Sequence, residues 1–181
     1  YGSEAQKQTY LVPLIKGEYL GAWGLTEAGS GSDAAAMRTY AKRDGDGWVL
    51  DGEKTFISNA GVAGHYVVFA NADPSKGRRG ITAFLVRPSD PGFVFKGSIP
   101  MMAPHPIGTI AFEACRLSDD RRLGAVGDGF RLAMSTLDAF RSTVGAASLG
   151  MARRALDESL DRVSKRRQFG KAIAEFQTVQ G

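Results

Sequence analysis

The chain has 181 residues, with 23 Lys and Arg against 19 Asp and Glu, a net charge of +4 and 43% hydrophobic residues. This balance is typical of globular proteins and excludes an intrinsically disordered chain. The longest stretch without a charged residue, 55–72, contains Ser58, Asn59 and His65, so it does not match the roughly 20 predominantly apolar residues of a membrane span. The single cysteine, Cys115, excludes an internal disulfide and indicates a reducing compartment.

A short helical pattern opens the chain and is followed by strand-like runs. Residues 5–12 predict a helix that Pro13 ends, because proline lacks the backbone N–H that a helix interior uses. The later runs are short, β-branched and aromatic, which is typical of strands. They occupy residues 47–50, 54–58, 66–70, 81–86, 92–95 and 109–112, and an apolar strand around Ala22 precedes them. Asp–Gly pairs at 44–47 and 51–52 predict turns between antiparallel strands. We therefore expect an antiparallel β-barrel or sandwich of about six or seven strands.

After residue 124 the pattern becomes helical. Apolar residues recur at three- and four-residue spacing from Phe130 to Val163, and Asp128 can cap the first turn. We predict one long helix over 128–167, a turn at 168–170 and the start of another helix over 174–180. The fold class is therefore α+β, with a β domain followed by long helices. The helical patterns at both ends are incomplete, so we expect a part of a longer chain.

Basic residues gather between Arg153 and Lys171, whereas elsewhere they alternate with acids. Two interpretations are open. The run is either a solvated helix face or a site for a phosphate-bearing small molecule, because guanidinium groups match phosphate oxygens. The alternation elsewhere does not favour a nucleic-acid partner.

A loop of small residues and hydroxyls, 26–33, follows the apolar residues 22–25. Its glycines let the backbone approach a ligand closely, and Thr26, Ser30 and Ser32 can bind carbonyl or phosphate oxygens. Its spacing matches neither a P-loop nor a dinucleotide-binding fingerprint. Such a loop is either a plain connection or a ligand cradle.

A second candidate segment, 52–61, is a strand that ends in a hydroxyl and an amide. Phe56 either belongs to the core or stacks on a planar ring system, with Ser58 donating a hydrogen bond to it.

Four motifs, in this order, resemble those of the acyl-CoA dehydrogenase family. The family's TEP-G-x-GSD loop corresponds to residues 26–33, and its G-x-K-x-[WYF]-I-[TS]-N strand to 52–59. Residues 127–141 are similar to its G-x-GF…LD-x-x-R helix start, and 152–177 to its A-x-RALD…R-x-x-FG…Q pattern. The chain departs from the family at Ala28, which replaces a proline. It departs again at His105, which stands where an Arg is usual and is either a substitute polar contact or an exposed turn residue.

The resemblance implies a domain organisation, a cofactor, an oligomeric state and a cellular compartment. Residues 1–20 would end an N-terminal helical domain, 21–123 form the middle β domain, and 124–181 begin the C-terminal domain, an incomplete four-helix bundle. FAD would bind between the β domain and the bundle of a homotetramer or homodimer. The compartment would be the bacterial cytoplasm or the mitochondrial matrix.

The resemblance also implies site residues. Those along the FAD are Trp23, Leu25, Thr26, Ser32, Phe56, Ile57 and Ser58, with Thr26 at the flavin's pyrimidine edge, Phe56 against the ring and Ser58 near N5. A neighbouring subunit's FAD would be contacted by Arg166, Gln168, Phe169 and Gln177, with Arg166 on the diphosphate. Acyl-CoA would meet Ser32, Asp138 and Arg141, although Asp138 is equally well explained as a helix-surface acid. No metal is implied.

The implied reaction is α,β-dehydrogenation of an acyl-CoA thioester, with hydride transfer to FAD and electrons passed to electron-transfer flavoprotein. In the family a glutamate serves as base, either on a loop of the later bundle or immediately before the motif Arg of the long helix. Here Phe140 precedes the motif residue Arg141, and a phenyl ring cannot accept a proton, so we expect the base beyond Gly181. The alternatives are an acyl-CoA oxidase or flavin monooxygenase of the same fold, or a non-catalytic flavin- or acyl-CoA-binding paralogue.

Overall fold

One eight-stranded sheet forms the first of two units, Tyr1–Met134, of a computed structural model that describes residues 1–180. Its strands are β1 (Leu20–Gly24), β2 (Tyr40–Asp44), β3 (Gly47–Ser58), β4 (Ala63–Asn71), β5 (Ile81–Val86), β6 (Phe93–Ser98), β7 (Ile107–Ser118) and β8 (Arg122–Leu123). The strand order is β6-β7-β3-β2-β4-β5-β8, and β1 pairs with β4. Within the described residues the sheet is open, with β6 and β8 at its ends.

The sheet encloses one core as a sandwich. Leu50 and Ile57 of β3 pack in the same cluster as Val68 of β4 and Phe84 of β5. Side chains alternate between the two faces of a strand, so Phe69, next to Val68, is buried on the opposite face. The α+β fold class is thereby confirmed, in its sandwich form.

A second core covers that opposite face. There Leu25 and Met37, which flank the loop after β1, pack with Phe69 and with the first turns of helix α3 (Gly129–Lys165) through Leu132. The loop after β1 is therefore fixed to the sheet by apolar contacts.

Two strand pairings are parallel, whereas the sequence predicted antiparallel connections only. β1 pairs with β4 from Leu20↔Ala63 to Gly24↔Val68, and β2 meets β4 at Tyr40↔Asn71. Parallel neighbours need a long connection, and the β2–β3 hairpin supplies it between β1 and β4. That hairpin turns at Gly45-Asp46, as predicted from the first Asp–Gly segment.

The prediction of a second turn, at Asp51-Gly52, is wrong, because both residues lie inside β3. Gly52 has φ 141°, and a Cβ there would lie 2.6 Å from the Thr39 Cα. The pairing of β3 with β7 shifts register between Leu50 and Gly52. Glycine is therefore required by a close approach of two backbones at a bulge, not by a chain reversal.

The N-terminal helical segment continues past Pro13. It consists of α1 (Glu4–Gln6), a π-helical turn (Lys7–Leu11) and α2 (Val12–Ile15). The prediction that Pro13 ends the helix is wrong, because the helical backbone changes from a π-helical to an α-helical hydrogen-bond pattern at Val12, and this change accommodates a residue without an N–H.

The second unit begins at Ser135 and contains the rest of α3. A hairpin of β9 (Arg167–Gln168) and β10 (Lys171–Ala172) follows, which confirms the turn at 168–170. A 3-10 turn and the short helix α4 (Gln177–Gln180) replace the helix predicted over 174–180. Gly181 lies outside the described residues, and among the others no helix is long and apolar enough to cross a membrane.

We predict that Gly52→Ala lowers the free energy of unfolding by about 3 kcal/mol, because the added methyl group meets the backbone of Thr39 at a positive φ. Urea denaturation of the full-length protein measures it. The matched control is Gly21→Ala in β1, since a Cβ there would approach the nearest side-chain atoms, those of Leu14 and His65, no closer than 3.4 Å. Alanine should change stability there by less than about 1 kcal/mol. Equal effects at the two positions would contradict this account of Gly52.

Candidate functional site

The two candidate segments lie side by side. The Thr55 N–H donates to the Thr26 carbonyl at 2.9 Å. The Lys54 Nζ donates to the Leu25 carbonyl at 3.0 Å. These bonds join the loop after β1 to the far half of β3.

A buried ion pair underlies this junction. The Lys54 side chain is completely buried, and its Nζ lies 2.8 Å from the Glu27 Oε1. The Glu27 carboxylate also accepts the backbone N–H groups of Arg38, at 2.6 Å, and Thr39, at 2.9 Å. Both buried charges are thus compensated, as burial of a charge requires.

Burial is the largest influence on the pKa of each partner. It holds the pKa of Lys54 below its ordinary value, and the hydrogen bond to Glu27 opposes this only in part. Burial pushes the pKa of Glu27 upward, but the hydrogen bonds from Lys54 and from the Arg38 backbone outweigh it and hold that pKa below its ordinary 4.5. The stability that ionised Glu27 contributes is therefore present above pH 4.5 and is lost as the pH falls through its lower folded pKa.

The same bonds orient the backbone of the loop. In a trans peptide the N–H points away from the carbonyl of the preceding residue. Because the Leu25 carbonyl faces Lys54, the Thr26 N–H points away from Lys54. Two backbone bonds between Glu27 and Ser30 then close a tight turn, and Ser32 beyond it is exposed.

A bulge in β3 presents an aromatic ring. The register with β7 shifts between Lys54 and Ile57, and Phe56 has φ 55°. Positive φ is uncommon for a bulky residue and is strained. As a result the Phe56 side chain is 60% exposed, while that of Ile57 is buried in the sandwich core. Of the two interpretations of Phe56, the core position is wrong.

The end of β3 presents a hydroxyl on the surface. The Ser58 Oγ lies 2.9 Å from the His105 Nε2, and both residues are exposed. The Asn59 Nδ2 donates to the Gly21 carbonyl at 2.9 Å. β1 and β3 are therefore joined at this end as well.

Trp23 and Leu25 occupy the edge of the second core. The Trp23 ring centroid lies 4.7 Å from that of Phe69, and its Nε1 is buried with no hydrogen-bond partner among the described residues. The Leu25 side chain is buried. A ligand at this place would meet an available indole donor and the backbone, not the side chain, of Leu25.

The remaining predicted residues lie in the second unit. The β9–β10 hairpin places Arg166 beside Ile173, whose N–H donates to the Arg166 carbonyl at 2.9 Å, and the Phe169 ring centroid lies 6.2 Å from that of Phe176. Phe169 is 92% exposed, and Gln177 at the start of α4 is exposed as well.

Asp138 and Arg141 form an exposed ion pair one turn apart on α3, with 3.1 Å between Oδ1 and Nε. Within residues 1–180, no group of three or more His, Cys, Asp or Glu could hold a metal ion.

Two family models match this chain. Residues 22–115 match the acyl-CoA dehydrogenase middle domain, and residues 127–181 match the acyl-CoA dehydrogenase C-terminal domain. The first match contains both segments that Lys54 and Thr55 join.

Individual proteins similar to this chain support the same family. The chain is 42% identical to a short-chain specific acyl-CoA dehydrogenase of Megasphaera elsdenii, over 99% of the chain and 48% of that protein. It is 44% identical to an acryloyl-CoA reductase (NADH) of Anaerotignum propionicum, over 99% of the chain and 47% of that protein. Among solved structures, one described as the electron transferring flavoprotein of Acidaminococcus fermentans is 42% identical with a TM-score of 0.92, covering 99% of this chain and 48% of that one.

The chain spans about half the length of the curated relatives that it matches. Within that half, the family models, the identities and the fold agree with the motifs at 26–33 and 52–59. The chain belongs to the acyl-CoA dehydrogenase family.

Proposed function

We propose that the protein containing this chain is an FAD-dependent acyl-CoA dehydrogenase. It removes hydrogen from the α,β carbon–carbon bond of an acyl-CoA thioester and passes the electrons to electron-transfer flavoprotein. The proposal rests chiefly on the junction of the two motif segments, where the Thr55 N–H donates to the Thr26 carbonyl and β3 presents Phe56 and Ser58 beside it. The names of the Megasphaera and Acidaminococcus proteins support the substrate class and the electron acceptor.

The residues of the first unit suit a flavin ring. Thr26 and Ser58 offer hydroxyls, Trp23 has an unpartnered buried N–H, and Phe56 exposes an aromatic face. The side chains of Leu25 and Ile57 are buried in the two cores, so these residues would contribute backbone groups. Bound FAD would supply a hydride acceptor.

The second unit suits the other half of the cofactor. Arg166 offers a guanidinium for charge-assisted bonds to a diphosphate. The exposed Phe169 ring and the amides of Gln168 and Gln177 would line the adenosine. We assign this set to the FAD of a neighbouring subunit, in a homodimer or homotetramer.

The acyl-CoA would be met by Ser32 and by the Asp138–Arg141 pair. Phe140 offers no proton acceptor, and we place the catalytic base in sequence after Gly181. The domain ranges 1–20, 21–123 and 124–181, and a location in the bacterial cytoplasm or the mitochondrial matrix, belong to the same proposal.

A second candidate function is the reverse reaction. The 44% identity to an acryloyl-CoA reductase favours it. An oxidase, a monooxygenase and a non-catalytic binding paralogue are the remaining alternatives. Stopped-flow mixing of the reduced protein with electron-transfer flavoprotein, with oxygen and with acryloyl-CoA separates them. Reoxidation that is faster with electron-transfer flavoprotein than with oxygen or acryloyl-CoA supports the dehydrogenase.

The principal test is the purified full-length protein. We expect a yellow protein with bound FAD, which short-chain butyryl-CoA bleaches without oxygen. A protein that stays colourless after incubation with FAD would contradict the proposal. One that binds FAD but is bleached by no acyl-CoA in a chain-length series would favour the non-catalytic paralogue.

We predict that Lys54→Met lowers the free energy of unfolding by about 3–5 kcal/mol, because it leaves the Glu27 carboxylate buried without its countercharge. The double variant Lys54→Met/Glu27→Gln should recover much of this stability at neutral pH. It should still retain less FAD than the wild type, since the Leu25 carbonyl has lost its donor. Denaturant unfolding and FAD per protomer are the two measurements, and a double variant as unstable as the single one would speak against the pair.

Arg166→Ala should lower FAD retention on dialysis at least tenfold, because it removes a charge-assisted hydrogen bond of about 1.5–3 kcal/mol. The control is Arg153→Ala, which removes the same charge from an exposed position of α3. Equal retention in the two variants would contradict the role of Arg166.

Ser58→Ala should slow flavin reduction by butyryl-CoA about tenfold and change the dissociation constant of butyryl-CoA less than twofold, because the lost bond of about 1.4 kcal/mol would be made to the redox ring. Single-turnover stopped flow resolves the two quantities. Equal effects on both would count against this role of Ser58.

A further inference from the structure

Among residues 1–180, the hydrogen-bond partner of the Ser58 hydroxyl is His105. Its Nε2 lies 2.9 Å from the Ser58 Oγ. It lies between Pro104 and Pro106, in the segment where this chain departs from the family motif.

The backbone immediately after His105 is held against the end of β3. The Asn59 N–H donates to the Pro106 carbonyl at 2.7 Å, and Ser58 pairs with Ile107 in the β3–β7 ladder. The two flanking prolines have fixed φ and restrict the residues before them. The imidazole therefore reaches Ser58 from a loop whose backbone is restrained by the two prolines and by the contacts of Pro106 and Ile107.

The direction of this hydrogen bond decides what Ser58 offers to a ligand. A hydroxyl donates one proton, and a neutral imidazole has one N–H and one bare nitrogen. If the His105 Nε2 is bare, Ser58 donates to it and can only accept from a ligand. If the Nε2 carries the proton, His105 donates, and the Ser58 proton is free for an acceptor on the exposed side.

We propose that His105 is a positioning residue that donates from Nε2 to the Ser58 Oγ and so directs the Ser58 proton towards an acceptor atom of the flavin ring. This inference rests on the proposed function. Phe56 and Ser58 are both exposed on β3, so one ligand can meet the ring and the hydroxyl together.

The test compares His105→Leu, which cannot hydrogen bond, with His105→Gln, whose amide can donate to Ser58. His105→Leu should slow flavin reduction by saturating butyryl-CoA about tenfold, as expected for one misdirected hydrogen bond. FAD per protomer and the dissociation constant of butyryl-CoA should change less than twofold. His105→Gln should return the rate to within about threefold of the wild type, since it restores the donor.

A double-variant cycle isolates the action through Ser58. Ser58→Ala/His105→Leu should be no slower than Ser58→Ala, because His105 has then lost the group that it orients. Measuring the midpoint potential of the bound FAD makes the same comparison between variants without an acyl substrate. His105→Leu should shift it in the same direction as Ser58→Ala, and His105→Gln should return it towards the wild-type value. Met102 is fully exposed in the same loop. The Met102→Ala variant should therefore match the wild type in reduction rate, in butyryl-CoA binding and in the midpoint potential.

Three results would overturn the role of His105. These are a His105→Leu variant indistinguishable from the wild type, equal slowing by His105→Leu with and without Ser58, or failure of His105→Gln to recover. If the wild type itself holds no FAD, the proposed function fails. If the wild type is reduced normally and His105→Leu is too, only the inference about His105 fails.

Discussion

The burial of one lysine determines the shape of the candidate site. A fully buried ammonium group is tolerated only when acceptors surround it. The Lys54 Nζ lies 3.0 Å from the Leu25 carbonyl oxygen, 2.8 Å from the Glu27 carboxylate and 3.8 Å from the Met37 sulfur. All three acceptors lie on the segment between β1 and β2. That segment is therefore held against β3 by an electrostatic requirement, and its apolar residues complete the second core.

β3 both anchors the loop after β1 and exposes side chains on the surface. Lys54 points inward and fixes the loop, whereas Phe56 and Ser58 face outward. The bulge between them requires φ 55° at Phe56, and such strain costs about 1–3 kcal/mol unless neighbouring contacts impose it. Lys54 on one side and the buried Ile57 on the other impose it here. The bulge thus separates the buried Lys54 from the exposed Phe56 and Ser58, although a regular strand would place all three side chains on one face.

Much of this arrangement can be predicted from local sequence. The β-branched runs predict most of the strands, because side-chain alternation is a local property. The roles of Glu27 and Gly52 cannot be predicted in this way. A charged residue in a loop or strand is ordinarily solvated, and only the approach of β3 to the segment after β1 buries the Glu27–Lys54 pair. Likewise, Gly52 is required by Thr39, which comes close only when β2 and β3 pair.

The two units differ in the groups that they would offer to FAD under the proposed function, the first to a flavin ring and the second to the diphosphate of a neighbouring subunit's FAD. A flavin ring is uncharged and is recognised by hydrogen bonds and aromatic contact, whereas a diphosphate is anionic and is best matched by guanidinium groups. The first unit offers hydroxyls, an indole N–H and the Phe56 ring, and its one buried cation, Lys54, is already paired with Glu27. The basic run from Arg153 to Lys171 lies in the second unit. Pairing Lys54 internally leaves neutral donors for the ring, and the exposed Arg166 remains available for the phosphates.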